Sequence, residues 1–282
     1  MNENTKILLA VIITAAICIP VTYLVSGSDN DEGADSVTLS VAGSTTVLPL
    51  MSVYAETYEK YTNVTLEVTG GGSGAGASAV INGTASFGML SRDLKQSELD
   101  AGLKATVIAK DGVAVIVGSD AGVTDLTLGQ IAGIYSGKIT KWDEVGGTDG
   151  ATIAVVTRED GSGTRSCFEE VMEAKDPDYE LKIDATVATS TGAVVTTVED
   201  NPNAIGYVSF GALDRLVNAT AVDVGGVAAD TAFVVDGTYE LQRNLLLATD
   251  GEPTGSVEKL FSWILGPEGQ ALVEDEGFIA VK

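Results

Sequence analysis

Arg158-Glu-Asp-Gly-Ser-Gly-Thr-Arg165 is the stretch on which the reading of this 282-residue chain turns. It follows a β-rich run, Thr152-Ile-Ala-Val-Val-Thr157, and leads into a helix-patterned segment through about Ala174. The same order occurs twice upstream. Val37-Thr-Leu-Ser-Val-Ala42 alternates like a strand, and Gly43-Ser-Thr-Thr-Val-Leu-Pro49 then opens a periodic stretch, Leu50 to Tyr61. Its expected face is Leu50, Val53, Tyr54, Thr57 and Tyr61. Val64 to Thr69 reads as a strand, followed by Gly70-Gly-Gly-Ser-Gly-Ala-Gly76 and a short helix through Ile81. Strand–loop–helix repeated in this way predicts an α/β fold whose loops gather at the carboxyl ends of the strands, where ligands bind.

Each of these loops sets small residues and hydroxyls at a helix amino terminus. Free backbone N–H groups and the helix dipole there attract an anion. Glycine lets the backbone come close, Ser or Thr adds a donor, and Arg158 can grip a tetrahedral oxyanion with two charge-assisted bonds. No GxxxxGK[ST] occurs, so none of the loops is a Walker P-loop. Gly72-x-Gly74-x-x-Ala77 with Asp93 beyond it fits a dinucleotide fingerprint loosely, but Gly83 interrupts the short helix that follows. Taken singly, the first loop reads equally as a helix cap and the glycine run as a linker; three in series point to a site.

Composition removes most other chemistry. Acidic residues number 40 and basic residues 16, a net charge of −24. A chain this acidic repels nucleic-acid backbones. There is no histidine, which removes Ser-His-Asp and Cys-His catalysis and His-ligated zinc. The two cysteines, Cys18 and Cys167, supply no disulfide framework or thiolate cluster. No cofactor, no metal and no catalytic residue is expected, so the chain reads as a binding protein. An anchored phosphohydrolase would need a nucleophile–base pair, and none is assembled.

Ile7 to Val25 is a run of 19 uncharged residues behind Lys6. As a helix it would be about 28 Å long, against a hydrocarbon thickness of about 30 Å. Residues 1–25 are therefore expected to be a membrane anchor or a signal peptide, with the membrane engaged through residues 7–25. Residues 26–35, small and acidic, read as a tether. The charges on either side put the body outside the cytoplasm: on the outer face of the membrane if anchored, secreted if Ser26-Gly27-Ser28 is a cleavage site. Three Asn-x-Thr triplets, at Asn63, Asn82 and Asn218, lie in the exported part.

With these loops in hand, the sequence resembles the PstS family, the phosphate-binding proteins of phosphate ABC transporters. The resemblance runs from Gly43–Pro49 through Gly72-Ser-Gly74, Ile131–Trp142, Arg158–Arg165 and Asn203–Ser209 to Gly266–Gln270. It implies a two-lobed, hinged periplasmic-binding-protein-like fold with one phosphate held between the lobes and delivered to permease subunits. It implies phosphate contacts from Thr45, Thr46 and Ser73 on one side, and from Arg158, Ser162, Gly163 and Thr164 on the other. Asp160 matches a family acid that braces the arginine. Where many members carry an Asp after a Phe-Gly strand, this chain reads Phe87-Gly-Met-Leu-Ser-Arg-Asp-Leu94. Ser91 takes that place with Arg92 beside it, and both are expected to contact the anion. A buried carboxylate would accept the proton that phosphate keeps and sulfate lacks; here Asp93 or the Ser91 hydroxyl would have to serve.

The family pattern places the lobes at residues 36–117 plus 240–282 and at 118–239, with crossings near Val117–Ser119 and Asp236–Tyr239. A monomer is expected. Cys167, Trp142 and Trp263 read as packing residues. Another oxyanion such as sulfate or molybdate, or a sensor uncoupled from transport, are the alternative readings.

Overall fold

The computed structural model describes residues 36–281. The expected anchor and tether lie outside the described residues; among those described, no helix is long and apolar enough to cross a membrane.

The chain begins β1 (Val37–Gly43), α1 (Leu48–Tyr58), β2 (Val64–Gly70), α2 (Ser73–Ile81) and β3 (Phe87–Leu90). Then come α3 (Gln96–Asp100), the long β4 (Leu103–Gly118), β5 (Asp125–Leu126) and α4 (Leu128–Tyr135). The middle holds β6 (Ala154–Arg158), α5 (Gly163–Lys175), β7 (Thr186–Ala188), α6 (Thr191–Glu199) and β8 (Ala204–Ser209). Short β9 (Ala219–Ala221), β10 (Asp223–Val224) and α7 (Thr231–Val235) precede β11 (Gln242–Asp250). The chain closes with α8 (Gly255–Ile264), α9 (Pro267–Asp275) and β12 (Ile279–Ala280).

Eight strands run in the order β2-β1-β3-β11-β4-β8-β6-β7, with β9 and β12 also on β4 and a separate β5–β10 pair. The outer strands are parallel: β1 with β2 and β3, and β6 with β7 and β8. The middle is antiparallel, with β4 pairing β11 over Leu103–Gly112 and β8 over Val113–Val117. Parallel strands need helical crossovers, and the strand–loop–helix pattern supplies them. Two large apolar cores result. One gathers Leu39, Leu50, Tyr54, Phe87, Ile108, Leu247 and Phe261; the other gathers Val113, Ile131, Trp142, Phe168, Tyr207 and Leu241.

Local readings shift in detail. The first helix runs from Leu48 with Pro49 in its first turn, and buries Leu50, Met51, Tyr54, Ala55 and Tyr58. The buried stripe thus takes Met51, Ala55 and Tyr58 in place of Val53, Thr57 and Tyr61, and Tyr61, beyond the helix end, stands 71% exposed. Trp142 is buried, its indole N–H donating to the Asn203 carbonyl at 3.0 Å. Trp263 packs against Tyr54 and Tyr58 at ring-centroid distances of 5.7 and 5.2 Å. Both are packing residues, as expected.

Candidate functional site

The β1–α1 loop is drawn tight onto β3. Gly43 has φ +139°, and any Cβ there would collide with the Met89 carbonyl. The Ser44 N–H donates to that same carbonyl at 2.8 Å. Ser44 Oγ, buried, accepts from the Thr46 and Val47 N–H groups and donates to Ser91 Oγ at 2.9 Å. At the start of α2, Ser73 Oγ accepts the Ser91 N–H at 3.0 Å and lies 3.2 Å from Ser91 Oγ. Ser44, Ser73 and Ser91 thus form one buried hydroxyl cluster beneath Thr45 and Thr46.

The third loop closes on this cluster. Ser162 caps α5, its Oγ accepting the Arg165 N–H at 3.3 Å. Thr164 Oγ1 lies 3.2 Å from Thr46 Oγ1, and the Gly74 N–H donates to the Gly161 carbonyl at 2.9 Å. At Gly163 the approach is so close that a Cβ would meet Ser73 Oγ and Ser91 Oγ. Arg158, 2% exposed, ends β6 and reaches across: Nη2 donates to Thr45 Oγ1 at 3.1 Å and Nη1 to Thr191 Oγ1 at 3.3 Å. The Tyr207 hydroxyl accepts the Arg158 N–H at 3.2 Å and shares a hydrogen bond with the Thr157 hydroxyl at 2.9 Å. Burial pushes that phenol up to about 12, so it stays neutral and pins β6 to β8.

Two expected site residues stand elsewhere. Asp160 does not brace Arg158. Its carboxylate, 96% exposed, pairs with Arg165 at 2.7 Å, and the brace is Glu159, which accepts from Arg158 Nε and Nη2 at 2.8 Å each. Glu159 folds back beside the guanidinium while the turn at Gly161 points Asp160 outward. Arg92 does not join the hydroxyls either. Glu98, in the first turn of α3, takes both its terminal nitrogens at 2.8 and 2.7 Å, and Nη1 also donates to the Asp93 carbonyl. Asp93 is exposed on that side, so of the two groups expected to accept a phosphate proton only Ser91 belongs to the cluster.

Other members escaped the sequence reading. Thr191, the first residue of α6, lies 3.4 and 3.5 Å from Thr45 and Thr46 Oγ1, and its N–H donates to Thr45 Oγ1. Ala188-Thr-Ser-Thr-Gly192 between β7 and α6 repeats the hydroxyl-rich strand–helix loop that marked the other three. Arg243 and Asp111 form a buried ion pair at 2.8 Å behind the site. Asp111 also accepts from Ser209 Oγ and the Phe210 N–H. Arg243 Nη2 donates to Thr46 Oγ1 at 3.2 Å. The Thr46 oxygen thus accepts from Arg243 while lying 3.2 Å from the Thr164 hydroxyl and 3.5 Å from that of Thr191. The signal was a charge inside each of two apolar strands, which requires a partner.

Four helix amino termini, eight hydroxyls and one guanidinium therefore converge, with no carboxylate among the groups at the centre. Such a set of donors suits a small oxyanion. Among the described residues no group of three His, Cys, Asp or Glu could hold a metal ion.

Comparison with known proteins gives matching results. Residues 29–268 match the family model described as a PBP superfamily domain. The phosphate-binding protein PstS of Bacillus subtilis is 33% identical over 266 residues, 91% of this chain and 85% of that one. PstS of Borreliella burgdorferi is 28% identical over 86% of this chain and 90% of its own. Among solved structures, an ABC-type phosphate transport receptor from Vibrio cholerae is 33% identical with TM-score 0.71, covering 86% of this chain and 99% of its own. A Clostridium perfringens protein crystallised with bound phosphate is 41% identical with TM-score 0.81, covering 87% of this chain and 100% of its own.

Proposed function

We propose that this chain, which belongs to the PstS family of phosphate-binding proteins, captures inorganic phosphate outside the cytoplasm and hands it to the permease subunits of an ABC importer, without turnover. The observation that carries this is Arg158: a guanidinium buried to 2% exposure among hydroxyls and helix amino termini, tied by Glu159 on one edge and turned on the other toward the Thr45 and Thr191 hydroxyls. Thr45, Thr46, Ser73 and Ser91 supply donors from one side. Ser162, Gly163, Thr164 and Thr191 supply them from the other. The backbone N–H groups at the starts of α2 and α5 add the pull of the helix dipoles.

The lobes of this reading are residues 36–117 with 240–282, which hold the whole of the first large core, and residues 118–239, which hold most of the second, whose Val113–Val117 and Leu241 come from the crossing strands. β4 and β11 cross between them and flex as the hinge, so that a ligand is buried by closure. Anchoring through residues 7–25 and action as a monomer complete the proposal. Selectivity for phosphate rests on Ser91, whose oxygen can accept the proton of hydrogen phosphate, a bond that sulfate, with no proton to give, cannot make.

Titration calorimetry on the full-length chain, stripped of ligand by partial unfolding, tests this with phosphate and then sulfate. Tight 1:1 phosphate binding that falls at least a hundredfold in Arg158→Ala is expected, with little response to sulfate. Equal affinity for the two would reassign the site to oxyanions in general, and no binding of either would remove the phosphate reading.

A further inference from the structure

A second cavity, of about 450 Å³, opens on the far side of Arg243 and is lined by none of the cluster's hydroxyls. Its walls carry Arg92 and Lys95 from the segment before α3, Lys110 from β4 and Arg243 from β11, with Asp93 and Glu170 as the acidic members. Both arginines are more than nine-tenths buried, and each keeps one buried nitrogen without a hydrogen-bond partner: Nε of Arg92 and Nη1 of Arg243. Their other nitrogens are spoken for, by Glu98 and the Asp93 carbonyl in one case and by Asp111 and Thr46 in the other. A buried donor left unmatched is costly, and an acceptor placed between the two arginines would relieve both.

We propose that this cavity is a second anion site, one that takes a small inorganic oxyanion more weakly than the hydroxyl cluster does. Four cations face two carboxylates on its walls, and with Glu98 and Asp111 behind the arginines the balance is even. In a chain of net charge −24 an even balance marks a local rise in potential, and it also keeps the affinity modest. Arg243 spans the two sites, since its Nη2 holds Thr46 while its side chain lines the cavity.

Equilibrium dialysis of the full-length chain in detergent micelles against radiolabelled inorganic phosphate, carried into the millimolar range, reads both sites in one experiment. The expected isotherm has a tight step and a weaker saturable step. In a Lys95→Gln/Lys110→Gln double variant, which changes only two exposed side chains, the weaker step loses about tenfold in affinity while the tight step stays. A single step throughout, or a weak step indifferent to the double variant, would overturn the second site. Loss of the tight step from the parent protein would instead overturn the phosphate-receptor reading, because the weaker step is scored separately.

Discussion

Gly163 is the residue whose replacement separates binding from folding. It opens α5 against Ser73 and Ser91, and an added methyl would push the two sides of the site apart. In Gly163→Ala, phosphate affinity is expected to fall at least tenfold while the melting temperature of the ligand-free protein changes by no more than a few degrees; calorimetric titration and thermal melts check the two halves. Overpacking of this kind typically costs about 1–3 kcal/mol, here charged to the closed arrangement. Cys167 tests the opposite quality, inertness. Burial pushes its thiol up to about 11. In a Cys18→Ser background, iodoacetamide at pH 8 is expected to leave the native protein unlabelled and to label it fully in denaturant; rapid native labelling would contradict the packing role. At this scale the sequence was informative wherever a residue's task is set by its own loop. It pointed to Thr45, Thr46, Ser73 and Thr164 because each sits within a few residues of a helix start, and to Ser91 through the resemblance, at the place of the family Asp. It erred on Asp160, since which of two adjacent carboxylates turns toward Arg158 depends on backbone angles at the Glu159–Gly161 turn.

Among the elements, α3 shows how a local pair can withdraw a residue from a site. Glu98 accepts the Lys95 N–H at 2.9 Å and both ends of Arg92, fastening the helix start to the end of β3. Burial alone would raise its carboxyl, but the bonds from Arg92 and Lys95 hold it below the usual carboxylate range. A depressed acid contributes stability that is present above its unfolded value and lost as pH falls through the folded one. Melting temperature should therefore drop through the acidic range from about pH 4.5 downward, and Glu98→Gln should flatten that part of the profile while lowering stability at pH 7. An unchanged acid slope would mean the pair is not formed. The spacing of Arg92 and Glu98 is short enough to be read from sequence, whereas the Asp111–Arg243 pair is not: β4 and β11 meet across 132 residues, and only their pairing brings the charges together. Truncating Asp111 to Ala would leave Arg243 buried and uncompensated, with an expected loss of about 3–5 kcal/mol in urea unfolding.

For the molecule as a whole, the excess of acid works against its ligand. Local donors hold the anion at contact range, but the long-range field of a −24 chain repels it during approach, and salt screens that field. The association rate for phosphate is expected to rise as ionic strength goes from about 10 to about 200 mM, by stopped-flow measurement, where an attractive field would make it fall. The α/β class and the convergence of loops were legible because both follow from local periodicity and punctuation. The antiparallel middle of the sheet was not, since nothing near β4 in the sequence announces β11 or β8 as its partners.

That middle has a mechanical consequence. Val37 packs against the first core from β1, and Ala280 on β12 pairs with Ala109 of that core, while the buried members of the second core all lie between Val113 and Leu241. A load drawn between those two residues must first peel β12 and β1 from their neighbours before any tension reaches Val113–Leu241. Under force the core behind Arg158 would thus be the last to give way, shielded by the order in which the thread was wound.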